Sequence, residues 1–146
     1  MTELPLNKIN LDEFWPYHVA FLADQISRHT LSLVKQESEL NTSQWRVLAA
    51  VVDKPGRSSA DVTAITPMDK TIVSRAVSSL IEGGIIDKKR SDADKRILLL
   101  SPTKAGLDIY SRITQRLTQS LSSNKETDAL MATLKDYIKM MDDISD

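Results

Sequence analysis

The sequence predicts a mainly helical chain of the α+β class: a winged helix-turn-helix with a small β-hairpin, flanked by long N- and C-terminal helices. Three observations carry this prediction. First, Val73, Ala76, Val77 and Leu80 are spaced i, i+3, i+4, i+7, so residues 69–82 form a helix with one stripe that must face a core. Second, Gly83-Gly84 stops that helix, and two strand-like runs follow, joined by the charged tip Ser91-Asp92-Ala93-Asp94. Third, a short helix and a break at Thr66-Pro67 precede it. Helix, turn, helix and hairpin in that order form a DNA-reading layout.

Taken from the start, residues 1–10 read as a loose arm. Asn10-Leu11-Asp12-Glu13 can cap a brief turn, with Glu13 at the capping-box position, and Pro16 suits the first turn of the helix that follows. That helix runs to about Gln36. Val19, Leu22, Ile26, His29 and Leu33 make a heptad-like seam, and Phe21 and Leu31 lie off it. A helix that is apolar on more than one face needs more than one neighbour.

Asn41 with Gln44 is a capping box for the second helix, on which Trp45, Leu48 and Val52 point one way. Lys54-Pro55-Gly56 end it. Arg57-Ser58 read as a very short strand pairing with the hairpin, and Ser58 with Asp61 caps the next short helix. Pro67 then sets a start, Asp69 can cap the helix over 69–82 or favour its positive end, and exposed N–H groups there suit a phosphate.

The outward face of that helix holds Lys70, Thr71, Ser74, Arg75 and Ser78. Small groups let a backbone approach a groove, and donor and acceptor tips suit base edges and phosphates. An ordinary solvated face is the plain alternative for the helix alone. The hairpin favours the functional reading. Ile85-Ile86 open a strand that Lys88-Lys89-Arg90 make basic, Lys95-Arg96 start the return, and the run from Ile97 to Leu100 is expected to be buried. Five bases against two acids within residues 88–96 give the tip local positive charge, suited to phosphates or a narrow minor groove.

Thr103 caps a helix to about Ser122, with Tyr110, Ile113, Leu117 and Leu121 as its stripe. Gly106 is unfavourable in its first turn unless another backbone comes close. The run from Ser123 to Glu126 reads as a capping box opening a last helix to about Ile144, striped by Leu130, Leu134, Ile138 and Met141.

The run DKTIVSRAVSSLIEGGII, the wing pair Asp94 and Arg96, the stretch LLLSPTKAG and the earlier LNTSQWRVLAAV together resemble the MarR family of bacterial transcriptional regulators, over about residues 40–106. The resemblance implies one domain over 1–146: a winged helix-turn-helix at about 41–103, with dimerisation helices at about 11–37 and 103–145. It also implies a homodimer on a palindromic double-stranded operator. Lys70, Thr71, Ser74, Arg75 and Ser78 would enter the major groove, with Arg90, Asp94, Lys95 and Arg96 at the wing. Members commonly hold aromatic or phenolic acids between the dimerisation helices and the DNA-reading unit. Candidates for such an effector pocket are Trp15, Tyr17, His18, His29, Trp45, Arg46 and Tyr110. Core packing of Trp45 and a surface or intersubunit ion pair for Arg46 are the plain alternatives. The expected function is a repressor released by its effector; the alternative is a winged-helix module that binds protein.

Charge distribution agrees with a nucleic-acid reader. The net charge is −1, but residues 1–53 carry −3, residues 54–104 carry +4 and residues 105–146 carry −2. The chain has no cysteine, which excludes disulfides, thiolate metal sites and the thiol sensing used by some members of that family. Neither His18 nor His29 sits in a ligand or nucleophile pattern, so no metal, no cofactor and no enzymatic activity is expected. With no long apolar run and no signal-like N-terminus, the expected location is the cytoplasm.

Overall fold

The computed structural model describes residue 2 and residues 7–146. The loose arm expected over 1–10 falls in large part outside the described residues. The chain divides into two compact units, Met1–Ile113 and Thr114–Asp146.

In the first unit a short 3-10 turn, Leu11–Glu13, precedes α1 (Trp15–Glu37). Asn10 Oδ1 accepts from the Asp12 N–H, and Pro16 sits in the first turn of α1, where its missing N–H costs nothing. The box expected with Glu13 does not form: Glu13 gives its backbone N–H to the Asn10 carbonyl instead. α2 (Thr42–Asp53), α3 (Ser59–Ile65) and α4 (Lys70–Glu82) follow, then β1 (Ile86–Arg90), β2 (Leu98–Pro102) and α5 (Lys104–Ser120). The capping boxes Asn41/Gln44 and Ser58/Asp61 both form, each satisfying two backbone donors.

The core of this unit gathers Val34, Leu40, Trp45, Val47, Leu48, Val51, Val62, Val73, Val77, Leu80, Ile86, Leu100 and Ile113. α2 contributes more than its expected stripe. Val47 and Val51 are fully buried beside Leu48, while Val52 is half-buried. The helix packs on α1, α3 and α4, so it is covered on several sides and a single stripe understates it.

α4 ends in a Schellman motif. Gly84 takes φ +70°, the Ile85 N–H reaches the Leu80 carbonyl at 2.9 Å, and the Gly84 N–H reaches Ile81 at 3.0 Å. The chain turns directly into the hairpin, in which Ile86 pairs with Pro102 and Arg90 with Leu98.

Two expectations about the hairpin need correction. Ile97 is 41% exposed and lies before β2, and burial is complete only at Leu100. Along β1 only Ile86 is buried, because the wing projects beyond any layer that could cover it. Arg57-Ser58 form no strand, and the sheet has two strands. The expected pairing survives as two bonds: Gly56 N–H to Leu100 carbonyl at 2.8 Å and Leu100 N–H to Arg57 carbonyl at 2.9 Å.

The second unit contains the last turns of α5 and α6 (Lys125–Ser145). The N-cap of α6 is Asn124 rather than Ser123, with Thr127 completing the box in place of Glu126. Asparagine is at least as good an N-cap as serine, so the frame moves by one residue. Leu130, Leu134, Ile138 and Met141 are all exposed. Among the described residues no helix is long and apolar enough to cross a membrane.

Candidate nucleic-acid interface

α4 divides as its spacing requires. Val73, Ala76, Val77 and Leu80 are buried, and Lys70, Thr71, Ser74, Arg75 and Ser78 are all exposed. The buried row seats the helix by burial of apolar surface, leaving one polar and cationic ridge. At the N-terminus the cap expected of Asp69 forms, and it bears on the phosphate expected there. Asp69 Oδ1 accepts from the Ile72 N–H at 2.8 Å, so a carboxylate already serves the positive end of α4. A phosphate approaching these amides would meet that negative charge, so the cationic side chains, not the helix end, suit backbone contact.

The wing tip is braced by its own charges. Arg90 Nη1 donates to the Lys95 carbonyl at 2.7 Å, across the hairpin. Arg96 donates to Asp94 through Nε at 3.1 Å and Nη2 at 3.2 Å, and its backbone N–H reaches the same carboxylate at 3.0 Å. The Arg96 guanidinium, foremost, and its N–H hold the Asp94 carboxyl below the ordinary carboxylate range. Asp94 thus shapes the tip and holds Arg96, while the Arg96 side chain stays 91% exposed. Lys95 Nζ lies 3.7 Å from Asp92 and remains open to solvent. Arg90 is first a brace of the tip, since its guanidinium is committed to a backbone carbonyl.

Two residues that the sequence reading did not single out for this interface support it from behind. Gln44 Nε2 donates to Ser79 Oγ at 2.7 Å, tying α2 to α4. Arg57 Nη1 closes the end of α2 through the Ala50 carbonyl at 2.6 Å and Asp53 at 2.9 Å. Gln44 reads as a cap in sequence, and its second bond spans 35 positions, so no local pattern announces it.

The seven candidates for an effector pocket do not converge in the chain. A cavity of about 220 Å³ is lined by Ile26, Ser27, Thr30, Leu31, Val34, Thr42, Trp45 and Arg46. Trp45 and Arg46 belong to it, and Arg46 Nη2 donates to Ser27 Oγ at 3.2 Å. Trp45 is 8% exposed and stacks on Tyr110, with ring centroids 5.6 Å apart, so both rings serve the core as well. Trp15, Tyr17 and His18 lie near the start of α1, about two to three turns before Ile26, and His29 also lies outside the cavity lining. Tyr17 stacks on Phe21, and the His18 ring Nε2 lies 2.8 Å from the Asp12 carbonyl. The length of α1 separates Trp15, Tyr17 and His18 from the cavity, a distance that residue type alone does not express.

Comparison with known proteins agrees with this geometry. Residues 38–97 match a family model described as "MarR family". Over 59 residues the chain is 34% identical to the HTH-type transcriptional regulator BilQ of Clostridium symbiosum, covering 40% of this chain. The chain spans 41% of that relative's length, less than half. Among solved structures, a MarR/EmrR family transcriptional regulator from Acinetobacter sp. ADP1 superposes with a TM-score of 0.78 at 24% identity, covering 92% of this chain and 99% of the other. The transcriptional repressor CouR, bound to a 23-mer DNA duplex, superposes with a TM-score of 0.74 at 22% identity, covering 94% and 99%. At these identities the structural likeness speaks for the fold. Over residues 38–97, the part that builds the winged helix-turn-helix from α2, α3, α4 and the hairpin, the chain is similar to the MarR family.

Proposed function

We propose that the protein is a sequence-specific DNA-binding transcriptional regulator, acting as a homodimeric repressor on a palindromic operator in the cytoplasm. The observation that carries this reading is the exposure of Lys70, Thr71, Ser74, Arg75 and Ser78 on one side of a helix whose other side is buried. Arg75 takes a base edge, with guanine the best match for a guanidinium fork. Lys95 and Arg96 take phosphates or the flanking minor groove. Two-fold symmetry places the half-sites about one helical turn apart. Each protomer supplies all parts of its own reading head, and a second copy covers the apolar side chains exposed on α1 and on α6.

The cavity beside Trp45 and Arg46 is the proposed effector site. Largely apolar walls with one guanidinium among them suit a small aromatic or phenolic acid. Such a ligand acts through its differential affinity for DNA-competent and DNA-incompetent states.

The test is binding to genomic fragments by gel shift, followed by the salt dependence of the best fragment. A regulator gives a preferred fragment and a steep salt slope. Equal affinity for all fragments, or none, overturns the reading and favours the alternative, a winged-helix module that binds protein.

A further inference from the structure

The side-chain amide of Gln44 is held at both of its ends. Oε1 accepts from the Asn41 backbone N–H at 2.8 Å, and Nε2 donates to Ser79 Oγ at 2.7 Å. The first bond is half of the capping box of α2, whose other half runs from the Gln44 N–H to Asn41 Oδ1 at 2.8 Å. The box needs only an acceptor at this position, and glutamate serves as well as glutamine. The amide donor is surplus to the cap, and it is directed at α4.

Ser79 stands beside the reading ridge and not on it. At 3.6 residues per turn it lies about 40° around the helix from Arg75 and about 100° from Ser78. Beneath α4 the contacts are those of Val73, Ala76, Val77 and Leu80. Apolar burial is non-directional, so it sets how deeply the helix sits more firmly than how it is turned about its own axis. A directional bond at the rim sets that turn. Gln44 is itself pinned by the cap, so the bond is anchored to the first turn of α2.

The geometry points to Gln44 as a positioning residue for base readout: through Ser79 it fixes the rotation of α4 and thereby the aim of Arg75. Hydrogen-bonded recognition tolerates errors of about 0.5 Å and 10–20°, so a small rotation is enough to lose a bidentate contact. This inference deepens the DNA-reading proposal and rests on it. It predicts an effect on discrimination between sequences, not on general attraction to DNA, because phosphate contacts are tolerant of rotation.

The experiment uses the full chain and a duplex selected from a random pool for tightest binding. The readout is the ratio of its affinity to that of an unselected duplex, with melting temperature measured in parallel. Ser79→Ala keeps the capping box and suits a helix, so the melting temperature holds while the ratio falls by about fivefold, the worth of one typical hydrogen bond. Gln44→Ala lowers the ratio by the same factor and also lowers the melting temperature, because the box is lost. The double variant shows no further fall in the ratio than Gln44→Ala alone. Two results overturn the proposal: an unchanged ratio in Ser79→Ala, or independent, multiplying effects in the double variant, which would mean that Ser79 touches DNA itself. Arg75→Ala separates the two levels. If it lowers the ratio and Ser79→Ala does not, the positioning role alone fails. If the parent protein itself shows a ratio near one, the DNA reading fails and the positioning role with it.

Discussion

Gly106, in the first turn of α5, lies so close to Ile85 that a β-carbon there would collide with the Ile85 carbonyl oxygen. Thr103 secures the same joint: its N–H reaches that carbonyl at 3.1 Å, and its Oγ1 donates to the Gly84 carbonyl at 2.7 Å. The Gly106 N–H in turn reaches Thr103 Oγ1 at 3.1 Å, so the end of α4 and the start of α5 share one hydrogen-bonded corner. Gly106→Ala gains up to about 1 kcal/mol of helix propensity. It also forces an overpacked contact, typically about 1–3 kcal/mol unfavourable. The expected outcome is a net loss of up to about 2 kcal/mol, read as a lower urea midpoint. A raised midpoint would mean that the corner relaxes freely.

The two cationic parts of the interface should fail differently. Arg75→Ala should reduce discrimination by about 1–3 kcal/mol and relax preference at one base position of each half-site. Lys95→Ala should weaken all duplexes alike and flatten the salt slope by about one unit. Fluorescence anisotropy across a salt series distinguishes them. Identical profiles for the two variants would refute the division between ridge and wing.

The carboxyls of Asp61 and Asp94 both titrate below the ordinary aspartate range. At Asp61 the Ser58 N–H is the main cause and its side chain the next; at Asp94 the Arg96 guanidinium is. Each folded pKa is depressed, so each contribution is complete above the unfolded value and disappears as pH falls through the lower folded value. The cap of α3 and the shape of the wing should therefore persist through mildly acidic pH and fail only under strong acid. Carboxyl carbon shifts followed by NMR check this. Midpoints at or above that of an unstructured aspartate would contradict it.

The apolar side chains of α6 test the dimer. Ile138 is 62% exposed and Leu130 48%, and both lie on its helical stripe. Ile138→Asp should leave the helical signal of circular dichroism largely intact and halve the mass seen by sedimentation. A variant of unchanged mass would place the dimer interface elsewhere, and a parent protein already of monomer mass would refute the dimer.

The local grammar of this chain is plain in its residues. The boxes at Asn41 and Ser58, the stop at Gly84 and the partition of α4 are each decided by side chains within a few positions, where short-range sterics and hydrogen bonds dominate. Gly106 also announced itself, because glycine in a first turn is unfavourable without a close neighbour, and that neighbour is Ile85. The expected burial of Ile97, the strand at Arg57-Ser58 and the cap at Ser123 failed for another reason. Each depends on what lies opposite or on a contest between adjacent equivalents, and pattern alone does not resolve either.

Sequence by itself therefore determined the order of the elements, the buried row of α4 and the polar ridge behind the proposed DNA contact, because helical periodicity converts spacing into a face. Only the tertiary structure decided that Gln44 reaches Ser79, that Arg90 braces the wing, and that Trp45 and Arg46 share a cavity from which Trp15, Tyr17, His18 and His29 are absent. Those relationships join residues far apart in the chain. They exist only once the helices have packed, since no local rule fixes a distance between distant positions.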